Sequence, residues 1–65
     1  MVMVRLLPRR RVAEVTGLSV RQLIRLETRG RFPAPRVISE GRVGYREDEV
    51  QDWIYKRPRA EDEPS

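Results

Sequence analysis

Residues 16–25 read Thr16-Gly17-Leu18-Ser19-Val20-Arg21-Gln22-Leu23-Ile24-Arg25, and this stretch decides how the chain folds. Gly17 can end one helix, because glycine tolerates the positive φ of a helix C-terminus without a Cβ clash. Ser19 can begin the next helix, because its hydroxyl can accept a hydrogen bond from a backbone N–H of the first turn. Gln22 stands three residues after Ser19, which is the spacing of a capping box. The stretch therefore predicts the turn and second helix of a helix-turn-helix.

The second helix is predicted from Val20 to about Arg29, with Leu23 and Leu26 facing inward at a spacing of three residues. Ile24 is expected to be partly buried. Gly30 suits the position just after the helix, and the charge of Arg29 suits its last turn.

Three polar side chains of this helix are candidates for DNA contact in the major groove: Arg21, Gln22 and Arg25. Positions four residues apart are neighbours on a helix, so these side chains share an exposed face. Arg and Gln have the donor geometry to bind base edges in a major groove. The alternative is a solvated helix face. For Gln22 it is a capping role, because a side chain bonded to Ser19 N–H cannot also contact a base.

The amino-acid composition excludes several classes of function. The chain has 65 residues, which is enough for one small domain, and carries a net charge of +4. Thirteen of its fourteen basic residues are Arg, and guanidinium groups bind phosphate and guanine bidentately. The lack of Cys and His excludes disulfides, thiolate metal sites and the usual neutral-pH general base. We expect a non-enzymatic protein that binds a polyanion, without a cofactor, metal or small-molecule effector.

The N-terminal half is expected to add a short strand or extended arm over Val2 to Leu7 and a first helix over Arg9 to Thr16. Val12, Ala13 and Val15 form the apolar stripe of this helix. No apolar run approaches the length of a bilayer span, and the N-terminus does not resemble a signal peptide. A cytoplasmic location is therefore expected, nucleoid-associated when the protein is bound to DNA.

The basic run Arg9-Arg10-Arg11 falls in the first turn of the first helix, where cations meet the unfavourable end of the helix dipole. We interpret the run as a binding site for DNA phosphates. The alternative is a solvated basic face. Together with residues at the start and end of the second helix, the predicted phosphate contacts are Arg9, Arg10, Arg11, Ser19, Arg29 and Arg31.

The second half of the chain predicts a hairpin followed by a helix. The prolines after Phe32 exclude a helix there. A strand over residues 36–38, a turn over 39–42 and a return strand over 43–45 follow, with Arg36 and Arg42 as candidate DNA contacts. These arginines could instead only protect the hairpin edge from aggregation. The hairpin must pack on the helices or pair with the N-terminal segment, since an isolated hairpin is marginal.

A third helix is predicted from Glu47 to Lys56, with Val50, Trp53 and Ile54 on one face. The acidic residues 47–49 are favourable at a helix start, so we assign them no catalytic role. Phe32, Tyr45 and Trp53 are expected to be core residues rather than stacking platforms for bases. Residues 1–57 are thus predicted to form the domain, and residues 58–65 a disordered charged tail.

The chain resembles the AlpA-type phage regulators and the related phage excisionases, which have a MerR-like winged helix-turn-helix fold. The resemblance covers about residues 5–57. The residues that carry it are Thr16-Gly17-Leu18-Ser19, Arg25-Leu26, Gly30-Arg31-Phe32-Pro33-Ala34-Pro35, Gly41-Arg42-Val43-Gly44-Tyr45 and Glu49-Val50-Gln51-Asp52-Trp53.

The resemblance implies a mostly α fold of three short helices plus a small β-hairpin wing. It also implies a second helix in the major groove, where Arg21, Gln22 and Arg25 match the groove-facing positions, and a wing contact at Arg42. Position 24 is often Tyr in this family and is Ile here, and Arg10-Arg11 replaces a frequently acidic position.

The expected function is sequence-specific binding of double-stranded DNA in an excisionase-like role. Such a protein, a recombination directionality factor, binds repeated sites and bends DNA to promote integrase-mediated prophage excision. Its expected partners are DNA, a phage integrase and further copies of itself. One alternative is an AlpA-like transcriptional regulator that uses the same face. A remoter alternative is a protein-interaction module such as an antitoxin or an adaptor.

Overall fold

The computed structural model of the protein describes residues 3–60. Three helices and three strands follow one another along the chain in the order β1, α1, α2, β2, β3, α3. Their bounds are β1 Leu6–Leu7, α1 Arg9–Thr16, α2 Val20–Thr28, β2 Arg36–Ser39, β3 Arg42–Arg46 and α3 Glu47–Tyr55.

The sheet is antiparallel and has the order β1-β3-β2, so β3 is its central strand. In β1, Leu6 lies opposite Arg46 and Leu7 opposite Tyr45. The predicted hairpin is thus present, and it is completed by the N-terminal segment, as its marginal stability in isolation requires. With the helices packed beside this small sheet, the molecule has the winged-helix-like arrangement that the sequence predicts.

Local sequence signals place the helix ends. Pro8 precedes α1 in an extended conformation, and Gly17 ends it with a φ of 79°. The acidic residues Glu47, Asp48 and Glu49 occupy the first turn of α3, where the helix dipole favours negative charge. The helix ends at Tyr55, one residue before the predicted end and three residues before Pro58.

The core is formed by one buried side chain from almost every part of the fold. Its members are Leu7, Val12, Leu23, Phe32, Tyr45 and Val50, and Ala13, Leu18, Leu26 and Trp53 pack against them. Phe32 contacts Tyr45 edge to face at 5.7 Å between ring centroids and packs on Trp53 at 4.8 Å. Phe32 and Tyr45 are therefore buried core residues, as predicted, and Trp53 is partly buried and packs against the core.

Two apolar residues that we expected to face inward lie mostly outside the core. Val15 of α1 is 48% exposed and Ile54 of α3 is 39% exposed. These helices have only eight and nine residues, so each turns a single narrow face toward the sheet. Val12 and Val50 occupy the centres of those faces, and the two exposed residues stand at their margins.

Gly44, in the middle of β3, is a site where a larger residue should be destabilising. A Cβ at this position would lie 2.7 Å from Ile38 Cδ1 and 3.1 Å from Leu6 Cβ. The end of Ile38 can rotate away, but the Cβ of Leu6 is fixed to the backbone of β1. We expect Gly44→Ala to lower the free energy of unfolding by about 1–3 kcal/mol, the usual cost of overpacking, as measured by urea denaturation. An unchanged or raised stability would show that β1 can shift freely.

No helix between residues 3 and 60 is long and apolar enough to cross a membrane. Residues 61–65, which hold most of the predicted disordered tail, and residue 2 of the predicted arm lie outside the described residues.

Candidate nucleic-acid interface

The start of α2 is fixed by two reciprocal hydrogen bonds. The backbone N–H of Gln22 donates to Ser19 Oγ at 3.1 Å, and the backbone N–H of Ser19 donates to Gln22 Oε1 at 2.9 Å. The preceding turn is held by Gly17 N–H, which donates to the carbonyl of Ala13 at 2.9 Å. The capping box that the sequence spacing predicts is therefore formed, and the amide oxygen of Gln22 is occupied by it.

Removing the cap should destabilise the domain without altering its core. We expect Ser19→Ala to lower the free energy of unfolding by about 0.5–2 kcal/mol, because one N–H of the first turn loses its acceptor. Thermal melting followed by circular dichroism measures the loss. Ser39→Ala, in the exposed strand β2, is a suitable control for the loss of a serine hydroxyl outside a helix cap. Equal melting temperatures of the two variants would contradict the capping role.

Arg21 and Arg25 lie on the exposed side of α2, opposite the buried Leu23. Arg29, at the end of the helix, continues the same line at a further interval of four residues and is also exposed. None of the three guanidinium groups forms an ion pair or a side-chain hydrogen bond within residues 3–60. We call Arg21, Arg25 and Arg29 the arginine stripe.

The segment after α2 turns the chain away from the helix and keeps Arg31 exposed. Gly30 adopts a φ of 70°, and Arg31 N–H donates to the carbonyl of Leu26 at 2.8 Å. The carbonyl of Arg31 in turn accepts a hydrogen bond from Trp53 Nε1 at 2.8 Å. The backbone of Arg31 is thus anchored on α3, while its guanidinium group has no acidic partner in the described part of the chain.

The two arginines predicted for the wing differ in their surroundings. Arg42, at the start of β3, is exposed and makes no ion pair with any described residue. Arg36 forms an ion pair with Glu49 at 2.9 Å and donates to the carbonyl of Ala34 at 3.2 Å. Arg36 therefore ties β2 to α3, and only Arg42 is available to a partner without breaking an intramolecular contact.

The basic run of α1 does not act as a unit. Consecutive residues of a helix point in directions about 100° apart, so the three side chains separate. Arg10 is exposed and unpaired within residues 3–60, and Arg11 pairs with Glu14 at 3.8 Å on the exposed side of the helix. Arg9 turns inward, where Nε donates to Tyr45 Oη at 3.0 Å and Nη2 donates to Glu27 Oε1 at 3.2 Å. Our interpretation of the run as three phosphate contacts is revised: the structure gives Arg9 an intramolecular role.

The contact made by Arg9 belongs to a cluster that the sequence analysis missed. Tyr45 Oη donates a hydrogen bond to Glu27 Oε2, which closes a triangle of Arg9, Glu27 and Tyr45. We call these three residues the Arg9–Glu27–Tyr45 cluster. One signal was present in the sequence: Glu27 is four residues after the inward-facing Leu23, and an acid on a buried helix face needs a partner.

Burial raises the pKa of Glu27 above its ordinary value, and the charge and hydrogen bond of Arg9 offset this only in part. A carboxyl whose pKa is higher in the folded state favours folding most below its unfolded pKa, and this contribution is lost as the pH rises through the folded pKa. We therefore expect Glu27→Gln to gain stability relative to the original protein as the pH rises above the ordinary pKa of a glutamate, about 4.3. Urea denaturation of both proteins at each pH measures the difference. A difference that is constant with pH would contradict the raised pKa.

Comparison with known proteins places the chain in a family. No curated protein and no solved structure matches the chain. The family model of the prophage CP4-57 regulatory protein (AlpA) matches residues 5–58, which include all three helices, the sheet and the arginine stripe. The chain therefore belongs to the AlpA family of prophage regulatory proteins.

Proposed function

We propose that the protein binds double-stranded DNA in a sequence-specific manner, with α2 in the major groove and the β2–β3 hairpin as a wing. The arginine stripe carries this proposal. Like charges four residues apart destabilise a helix, and no acid in residues 3–60 offsets them, because six of the seven described acids pair with other basic residues and Glu40 forms no ion pair. A row of phosphates and base edges supplies the missing negative partner.

The basic residues divide into two groups, and the division supports a DNA-facing set. Eight of the fourteen make a contact of their own: six form ion pairs with acids, Arg57 lies 4.3 Å above the ring of Trp53, and Arg59 also makes an interaction. Those exposed and without such a contact in the described part of the chain are Arg10, Arg21, Arg25, Arg29, Arg31 and Arg42.

Within this set, Arg21 and Arg25 are the proposed base-reading residues, because they stand at the middle of the exposed face of α2. Arg42 is the proposed wing contact, and Arg10, Arg29 and Arg31 are proposed to bind phosphates. Three other predicted contacts already have intramolecular partners: Ser19 and Gln22 bond to each other, and Arg11 pairs with Glu14. We propose them only as secondary DNA contacts, because DNA would compete with these partners or share the side chain with them. Arg9 and Arg36 are left out, since their guanidinium groups are held by Glu27 and Glu49.

The salt dependence of binding tests the proposal. Each phosphate contact contributes about −0.9 to the slope of log association constant against log salt concentration. Four to six contacts therefore predict a slope of about −3.6 to −5.4 for a specific duplex, measured by fluorescence anisotropy. A flat salt dependence, or equal affinity for every duplex, would overturn the proposal. Absence of salt-dependent binding would favour a protein-interaction module, such as an antitoxin or an adaptor, that uses its basic surface on an acidic partner.

Two biological roles fit the same DNA-binding face. The family description, a prophage regulatory protein, favours a transcriptional regulator in a phage or prophage setting. The exposed edge strand β2, with Val37 80% exposed and Ile38 49% exposed, favours contact between neighbouring copies on repeated sites. Such an array is the basis of an excisionase-like role, in which the copies bend DNA and assist an integrase.

Footprinting on phage and host DNA separates these roles. Several direct repeats beside an attachment site support the excisionase-like role. A single site at a promoter supports the transcriptional regulator. A gel-mobility assay with the site at different positions in the fragment then tests bending, which only the first role requires.

A further inference from the structure

The Arg9–Glu27–Tyr45 cluster joins three separate elements by directional bonds. Arg9 is the first residue of α1, Glu27 lies in the last turn of α2, and Tyr45 lies in β3. Tyr45 is fully buried, and the side chains of Arg9 and Glu27 are 31% and 11% exposed. The guanidinium group of Arg9, the carboxylate of Glu27 and the hydroxyl of Tyr45 each hydrogen-bond to the other two. The cluster therefore joins α1, α2 and β3.

This point lies between the two parts of the proposed interface. Glu27 follows Arg25 of the arginine stripe by two residues, on the same helix. Tyr45 follows the wing residue Arg42 by three residues, on the same strand. The bond from Tyr45 Oη to Glu27 therefore links the DNA-reading helix directly to the wing strand.

Apolar packing alone does not fix the angle between α2 and the wing. Leu23 and Phe32 hold the elements together, but hydrophobic contact is non-directional and permits small rotations. Hydrogen bonds weaken steeply with misalignment, so a closed triangle of them defines an orientation. Buried polar clusters contribute little net stability compared with apolar residues of similar size, and some specify a single arrangement.

We propose that Arg9, Glu27 and Tyr45 are positioning residues that set the orientation of α2 relative to the wing, and thereby the discrimination between specific and non-specific DNA. The proposal rests on the DNA-binding function proposed above. It assigns Arg9 a role opposite to that of a phosphate contact, because the residue acts through α2 and β3 without touching DNA.

Tyr45→Phe is the sharpest test, because it keeps the ring and removes only the hydroxyl. We expect the melting temperature to fall by at least about 4–8 °C, the effect of one lost hydrogen bond in a small domain, because the hydroxyl bonds to both Arg9 and Glu27. In the free protein, residual dipolar couplings of backbone amides should report a changed or more mobile orientation of α2 relative to the sheet. The affinity ratio of specific to scrambled duplex should fall by about fivefold or more.

Arg46→Gln is the matched control. It breaks an exposed pair, Arg46 to Asp48 at 2.8 Å, which joins the end of β3 to the start of α3 and does not involve α2. Its dipolar couplings in α2 and its affinity ratio should equal those of the original protein. Should Tyr45→Phe fail to fold, Glu27→Gln provides the same two measurements, since it keeps the size of the side chain and weakens its bond to Arg9.

The outcomes separate the two proposals. An unchanged orientation of α2 in the free variants would overturn the positioning role, whatever happens to DNA binding. A changed orientation with an unchanged affinity ratio would also overturn it, because the angle would then not govern discrimination. If the original protein itself fails to distinguish DNA sequences, the DNA-binding proposal fails, and with it this positioning role, whereas the dipolar couplings still report whether the cluster fixes the angle.

Discussion

Replacing Arg25 with alanine should weaken binding to the specific DNA site by about 5- to 150-fold, which corresponds to about 1–3 kcal/mol for a base-contacting arginine. Arg25 is exposed at the middle of the arginine stripe and has no acidic partner in residues 3–60. The change should also relax the preference for one base pair of the site, because we propose that this side chain contacts a base. Titration of a labelled duplex and of its single-base variants measures both effects.

Arg46→Ala removes the same charge and serves as the control. Its guanidinium group binds Asp48 with two hydrogen bonds of 2.8 and 3.1 Å, and this pair raises the pKa of Arg46 and lowers that of Asp48. The variant should keep the affinity ratio between the specific duplex and its variants. If Arg25→Ala lowers affinity equally for all duplexes, Arg25 binds phosphate, and the base-reading register of α2 must be shifted toward Arg21.

The helix-turn-helix could be predicted closely because its signals are local. Gly17, Ser19 and Gln22 act on backbone groups within four residues of themselves, so their spacing alone determines where α1 ends and α2 begins. The same holds for the acidic first turn of α3 and for Pro58 beyond its end. Hydrogen bonds between residues close in sequence can be predicted without knowing the tertiary structure.

The partners of the arginines could not be predicted in the same way. Arg9 is 36 residues from Tyr45 and 18 from Glu27, and Arg36 is 13 from Glu49. A run of three arginines reads as one basic patch in the sequence, but the helix sends each side chain in a different direction. Only the tertiary structure shows that Arg9 bonds inside the domain whereas Arg10 stays exposed.

Leu23→Ala should remove a large part of the stability of the domain. Leu23 is fully buried among Val12, Phe32 and Tyr45. A leucine-to-alanine change at such a site costs about 2–5 kcal/mol, because transfer free energy is lost and a cavity remains. A chain of this length has a total stability of about 3–10 kcal/mol, so the variant should be close to unfolding at 25 °C. Fluorescence of Trp53, which packs on Phe32, follows the transition in urea.

Ile24→Ala is the control on the same helix, since Ile24 is 42% exposed and should lose about 1 kcal/mol or less. Equal losses for the two variants would contradict the placement of Leu23 in the core. Because DNA is proposed to bind only the folded state, a specific duplex at 100 times its dissociation constant should restore about 2.7 kcal/mol to Leu23→Ala. The double variant, Leu23→Ala with Arg25→Ala, should recover less unfolding free energy at the same duplex concentration, because its dissociation constant for the duplex is higher. If both proposals hold, folding and DNA binding are one coupled equilibrium: Leu23 stabilises the folded state that binds DNA, and Arg25 determines the affinity of that state for DNA.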